Sequence, residues 1–278
     1  MSKSRIDRLT STTEYNRPFL RWAGSKRQLV AKLSSYVVDS CTRYVEPFAG
    51  SACLFFYLHP SRALLGDVNK ELILTYMEIK HRLPLVLEHL GQLKKGRSEY
   101  NTIRALDTNR IEKPMRAARF IYLNRFCFNG LYRTNKDGVF NVPFGGERSG
   151  DISSNTHLQA CAKALQGAKL VSGDFGGVLS QVKKGDFVYM DPPYVVAAKR
   201  VFREYSGNVF SLEDLNRVRS WMERLDGMNV PFVVSYAECE EARILSRGFR
   251  SEVIYVKRSI AGSMFHRRHS SERVISNI

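Results

Sequence analysis

The chain has 278 residues, 44% of them hydrophobic, which is enough for one large domain or a domain with an insertion and excludes a disordered chain. Lys and Arg number 43 against 27 Asp and Glu, a formal charge of +16, so a polyanionic partner is expected, although a solvated basic surface fits the same numbers. No apolar run is long enough to span a bilayer, and five widely spaced cysteines (Cys41, Cys53, Cys127, Cys161, Cys239) with six histidines form no zinc pattern, so reduced thiols, a cytoplasmic location, no membrane and no metal are predicted.

Residues 1–16 are polar, lack an apolar signal region and read as a loose tail. Phe19-Leu20-Arg21-Trp22-Ala23-Gly24-Ser25-Lys26 then leads through a Gly-Ser turn into a helical pattern over Gln28–Leu33. Gly24-Ser25-Lys26 hints at a phosphate loop, but the upstream glycine at the required spacing is missing. Trp22 fits either core packing or the rim of a small-ligand site.

Tyr44-Val45-Glu46-Pro47-Phe48-Ala49-Gly50 followed by apolar Cys53–Leu58 reads as strand, glycine turn and helix. That is where a nucleotide-like cofactor approaches backbone closely, although the dinucleotide fingerprint is absent. A second strand over Ala63–Asp67 ends in an acid able to accept from ribose hydroxyls, or to cap the helix that begins near Asn69. From Tyr76 to Phe128 the chain is helical and basic, with amphipathic spacing over Glu78–Lys95 and Lys113–Phe128. Asn129–Gly145 breaks into turn signals, with Asp137-Gly138 as the hairpin turn pair. Aromatic, amide and arginine side chains on a short hairpin suit groove readout; an ordinary surface hairpin is the plain alternative.

A third strand over Lys169–Phe175 ends in Asp174 and an aromatic ring. A fourth, Asp186–Met190, runs into Asp191-Pro192-Pro193-Tyr194, where the prolines end the ladder because they have no N–H to donate. A carboxylate, a proline carbonyl and an aromatic face are thereby set at a strand's C-terminal edge, where open α/β sheets bind ligands. Two acceptors suit an amino group, and the tyrosine face suits a flat base; an Asp-Pro-Pro turn with a core tyrosine is the alternative. A helix over Leu212–Leu225, a fifth strand over Val230–Ser235 and a terminal hairpin from Glu252–Lys257 and Arg273–Ser276 complete an α/β pattern with a mostly parallel sheet.

Taken together, Arg21–Lys26, Glu46–Gly50, Asp67-Val68-Asn69, Asn129–Gly145 and Asp191–Tyr194 make the chain resemble the Dam-type DNA adenine-N6 methyltransferases, from Phe19 to Asn277. The resemblance implies a Rossmann-like methyltransferase sheet over residues 1–76 and 165–278. A mostly helical target-recognition subdomain carrying a β-hairpin would be inserted over 77–164. It also implies S-adenosylmethionine as cofactor, held by Trp22, Ala23, Gly24, Lys26, Glu46, Pro47, Phe48, Gly50, Asp67 and Asp191, with Asp174 and Phe175 holding the adenine. Catalysis would fall to Asp191, Pro192, Pro193 and Tyr194. Duplex DNA would be read by Phe128 as a wedge, by Asn129 and Leu131 beside it, by Arg133 as a base reader, and by Asn135, Asn141 and Pro143. The enzyme would flip an adenine, often in GATC, and act as a monomer. The family usually has glycine where this chain has Ser25, and often a second glycine at Ser51 or Ala52, so the cofactor turn is expected with altered detail. A cytosine-N4 or RNA methyltransferase, or a catalytically idle DNA-binding protein, stays open, because the tetrapeptide can hold any exocyclic amine.

Overall fold

A computed structural model describes residues 17–195, 210–257 and 269–278. The expected loose tail, 1–16, lies outside the described residues. Strands β1 (Arg43–Glu46), β2 (Ala63–Asp67), β3 (Ala168–Ser172), β4 (Asp186–Met190), β5 (Phe232–Ala237), β6 (Arg250–Lys257) and β7 (His269–Ser276) form one sheet in the order β3-β2-β1-β4-β5-β7-β6. The first five are parallel, and β7 runs antiparallel to both β5 and β6. The terminal hairpin predicted from sequence is thus the sheet's antiparallel edge.

Side chains alternate across these strands, and each set feeds its own core. Tyr44, Leu65, Phe187 and Tyr189 pack with helices α1 (Val30–Ser34), α2 (Cys53–Leu58), α3 (Lys70–Gln92), α5 (Lys113–Phe126) and α6 (Asn155–Leu165). Val45, Leu64, Val188, Met190 and Val234 pack with α7 (Phe175–Leu179), α8 (Leu212–Gly227) and α9 (Glu240–Leu245). The helices between β2 and β3 add a third cluster around Tyr100 of α4 (Arg97–Ala105), Tyr122, Phe126, Phe140 and Val142. Strand order reverses between β1 and β4, and ligands of such sheets bind in the crevice outside the strand ends there.

Several expectations are corrected. The helix expected to begin near Asn69 does so, starting at Lys70 under the Asn69 cap, which accepts from the Leu72 N–H, but it ends at Gln92, short of the Lys95 that the amphipathic spacing reached. Asp67 therefore does not cap it. The helix bends at Arg82 (φ −135°), two residues before Pro84. Far from amphipathic, α5 is buried on most sides, since it lies between α3 and the third cluster. The third strand stops at Ser172; Asp174 is the N-cap of α7, accepting from the Gly176 N–H, and Phe175 is its first residue. The hairpin is held by two isolated bridges, Cys127 with Phe144 and Thr134 with Phe140. Its turn is a three-residue loop, not the Asp137-Gly138 pair: Asn135 donates to the Val139 carbonyl and accepts from the Gly138 N–H, with Gly138 at φ +77°.

Candidate active site

The parallel strands all end on one side, which collects Glu46, Asp67 and Asp191 with the loops that follow them. Met190 pairs with Val234, so Asp191 falls beside Ser235, the next residue of β5. Ser235 Oγ donates to Asp191 Oδ1 at 2.9 Å, and Tyr189 Oη lies 2.8 Å from Ser235 Oγ. Lys26 Nζ reaches the same Oδ1 at 2.8 Å. Both contacts fall on Oδ1 of Asp191, and among the described residues no hydrogen bond reaches Oδ2. Lys26 also donates to the Gly24 carbonyl at 2.9 Å and to Tyr194 Oη at 3.0 Å, which uses all three N–H groups of the ammonium. Burial opposes this charge, but Asp191, Tyr194 and Glu272 outweigh it and raise Lys26 above its ordinary value.

Pro192 is buried, Pro193 is exposed, and the half-buried Tyr194 rests edge-on against Tyr236, with centroids 5.0 Å apart. Burial chiefly, with Asp191 and Glu272 adding, raises the Tyr194 hydroxyl and keeps it neutral; Lys26 pulls the other way.

The loop after β1 is fastened at Gly50. Its φ is +47°, and a Cβ there would stand 2.7 Å from Trp22 Cδ1. Its N–H donates to Asp67 Oδ2 at 2.9 Å and its carbonyl accepts from Tyr76 Oη at 2.6 Å. Asp67 Oδ1 takes the Asn69 N–H, so two of the carboxylate's roughly four acceptor positions remain for a ligand. Glu46 is buried and accepts from Tyr44 Oη; burial first, then Asp191 and Asp67, raises its carboxyl well above the ordinary range, against that hydrogen bond. Pro47 is buried and Phe48 half-buried, its ring 5.0 Å from Phe175. Phe175 is buried under Arg217, 4.4 Å from its centroid, and Arg217 also pairs with Asp174. The exposed Ala23 and Gly24 form the turn before Lys26.

The altered detail expected at the cofactor turn has a local form. Ser25 Oγ lies 2.8 Å from Cys53 Sγ, and Ser51 Oγ lies 3.3 Å from it, so the two loops meet at one thiol. Neither serine has positive φ; Ala52 does, at +51°.

On the insertion side, Asn124 brackets Arg21, accepting from its N–H at 2.8 Å and donating to its carbonyl at 2.7 Å. Trp22 stacks on Tyr132 and Phe120, at 5.8 and 6.5 Å between centroids. Phe128 is 51% exposed and Leu131 39%, a conspicuous pair of apolar side chains. Asn129 beside them is exposed at φ +55°. Arg133 Nε donates across the hairpin to Asn141 Oδ1 at 2.8 Å. Asn135 spends its side-chain oxygen on the Asp137 and Val139 N–H groups, so it shapes the turn, and the Pro143 carbonyl accepts from the Phe128 N–H. Sequence reasoning did not single out Ser235, Glu272, Tyr76 or, within the hairpin motif, Tyr132; strand register and packing bring them in.

A carboxylate with one oxygen anchored, a neutral tyrosine and a glycine cradle can hold an amine beside a small cofactor. Among the described residues the five cysteines form no disulfide. Among the described residues no cluster of His, Cys, Asp or Glu could hold a metal ion, and no helix is long and apolar enough to cross a membrane. The family model for D12 class N6 adenine-specific DNA methyltransferases matches residues 22–260. The chain is 33% identical to a Type II methyltransferase of Lactococcus lactis subsp. cremoris, covering 94% of this chain and 95% of that one. It is 30% identical to a Type II methyltransferase of Methanocaldococcus jannaschii, covering 88% and 92%. With a DNA adenine methylase of Vibrio cholerae it shares 30% identity over 88% of this chain and 90% of that protein.

Proposed function

The chain belongs to the D12 class N6 adenine-specific DNA methyltransferases, and from that premise we propose that it draws the methyl group from S-adenosylmethionine and flips its target adenine out of duplex DNA, in GATC or a related short site. The family makes it an enzyme that moves a methyl group from a donor to adenine N6 of DNA, which sets aside the cytosine and RNA readings.

The fit to the donor rests on the Gly50 turn, where a Cβ would collide with Trp22, and on the spare acceptor capacity of Asp67. Trp22, Ala23, Gly24, Lys26, Glu46, Pro47, Phe48, Gly50 and Asp67 would hold it, with Asp174 and Phe175 towards its adenine. When bound, S-adenosylmethionine supplies a methyl on a sulfonium, already a good leaving group. The chain must then position a weak nucleophile, since the lone pair of adenine N6 is delocalised into the ring. Asp191 Oδ2 and the Pro192 carbonyl accept the two amine hydrogens, favour a tetrahedral nitrogen and aim its lone pair. Pro193 fixes that carbonyl's direction, and the face of Tyr194 receives the base. Flipping costs a few kcal/mol, offset by this stacking and by Phe128 entering the vacated place.

In this reading residues 1–76 and 165–278 form the catalytic part and 77–164 the recognition part, acting as a monomer in the cytoplasm, where the DNA substrate is. Arg133 is the base reader, with Asn129, Leu131, Asn141 and Pro143 lining the DNA and Asn135 holding the loop.

The observation that carries the proposal is the anchoring of Asp191 by Lys26 and Ser235 through one oxygen. Asp191→Ala should abolish methyl transfer while the protein stays folded and binds DNA; near-normal transfer would refute the assignment. Methylation-sensitive sequencing of DNA from cells expressing the enzyme identifies the site, and methylation outside GATC-like sequences would exclude that specificity.

A further inference from the structure

Glu272 sits in the middle of β7, paired in register with Ala237 at the end of β5, and is only 4% exposed. Both of its oxygens lie 3.0 Å from Tyr194 Oη, and Oε2 lies 3.8 Å from Lys26 Nζ. A carboxylate is costly to bury, and an apolar side chain would serve packing better. Its place is explained by what it faces. Tyr194 can donate one hydrogen only; with Glu272 taking it, the hydroxyl is left to accept from Lys26. Lys26, in turn, ties Asp191 Oδ1. Glu272, Tyr194, Lys26 and Asp191 therefore form one continuous network from the antiparallel edge of the sheet to the amine site, in which Lys26 donates both to Tyr194 and to Asp191. The same network fixes the Tyr194 ring against Tyr236.

We propose that Glu272 is a positioning residue for methyl transfer, acting through Tyr194 and Lys26 to hold Asp191 with one oxygen tied and the other presented to the target amine. The proposal rests on the reading of Asp191 given above. No motif marks Glu272, which stands 78 residues from Tyr194 in the chain.

The test compares Glu272→Gln and Tyr194→Phe in single-turnover methyl transfer, with donor and duplex affinities titrated separately. Glutamine can still accept from the tyrosine but lacks the charge; phenylalanine keeps the stacking face and loses only the hydroxyl. Each should slow transfer about 10- to 100-fold, as expected for losing one charge-assisted hydrogen bond, with both affinities unchanged. In a Lys26→Met background Glu272→Gln should cause no further slowing. Wild-type rates in both single variants would overturn the proposal, as would an undiminished effect of Glu272→Gln without Lys26. If Glu272→Gln does not fold, Tyr194→Phe decides, since its ring packing against Tyr236 is retained. Transfer by Asp191→Ala would refute the underlying reading. An inactive Asp191→Ala beside wild-type rates in the other two would refute this inference alone.

Discussion

At Gly50 the backbone takes φ +47° with Trp22 2.7 Å from where a Cβ would stand; at Gly91, in α3, a Cβ would meet nothing within 4 Å. The same substitution should therefore have opposite signs. Gly50→Ala should cost about 1–3 kcal/mol of stability and weaken donor binding, while Gly91→Ala should add about 0.5–1 kcal/mol through helix propensity. Thermal melts and titration with S-adenosylmethionine measure both. Glu46 supplies a pH test. Its folded carboxyl is raised above the ordinary value of 4.5, chiefly by burial. A raised group contributes stability that is fully present below its unfolded value and is lost as pH rises through the folded one. In the protein without donor, Glu46→Gln should flatten the decline of melting temperature above that value. An unchanged slope would mean that Glu46 ionises freely in the fold.

At the scale of the element, the hairpin is the part whose chemistry differs most from its first reading. Its turn is closed by Asn135 and Gly138, which leaves Arg133 and Asn141 paired across it on an exposed face. An arginine held by an amide has its planar fork pre-oriented, as a bidentate contact to guanine requires. Arg133→Ala, assayed on single-pair variants of the target site, should cost about 1–3 kcal/mol on the proper site and relax discrimination at one position. Equal losses across the panel would make Arg133 a phosphate contact. In α5, burial on most sides explains why its periodicity misleads. The helix spaces its polar residues as a surface helix would, but Arg119 turns its guanidinium to the carbonyls of Ile103 and Arg104, and Asn124 turns to Arg21.

For the whole molecule, the charge of +16 should appear as counterion release. Non-specific duplex affinity should fall linearly on a log–log salt plot, with a slope of about −0.9 per phosphate neutralised. A nearly flat dependence between low and moderate salt would mean that the basic residues do not face DNA. The sheet and the helices between β2 and β3 are mechanically joined, since α3 runs from the end of β2 into them and Trp22 lies against both Gly50 and Tyr132. The Gly50 loop and the Asn129–Gly145 hairpin thus share one packed aromatic stack.

The α/β class, the position of the parallel strands, the turn at Gly50 and the tetrapeptide at Asp191 are legible in the sequence, because each is governed by local chemistry: alternation, glycine freedom and proline's missing N–H. The sequence could also place Asp67 and Lys26 near the site through resemblance. The partners those residues take are set by the folded sheet. Ser235 reaches Asp191 through the register of β4 on β5, and Glu272 reaches Tyr194 through the antiparallel return of β7. Such contacts join residues far apart in the chain, and strand register and buried polar pairing are settled by the packing of the whole sheet, which no window of sequence contains.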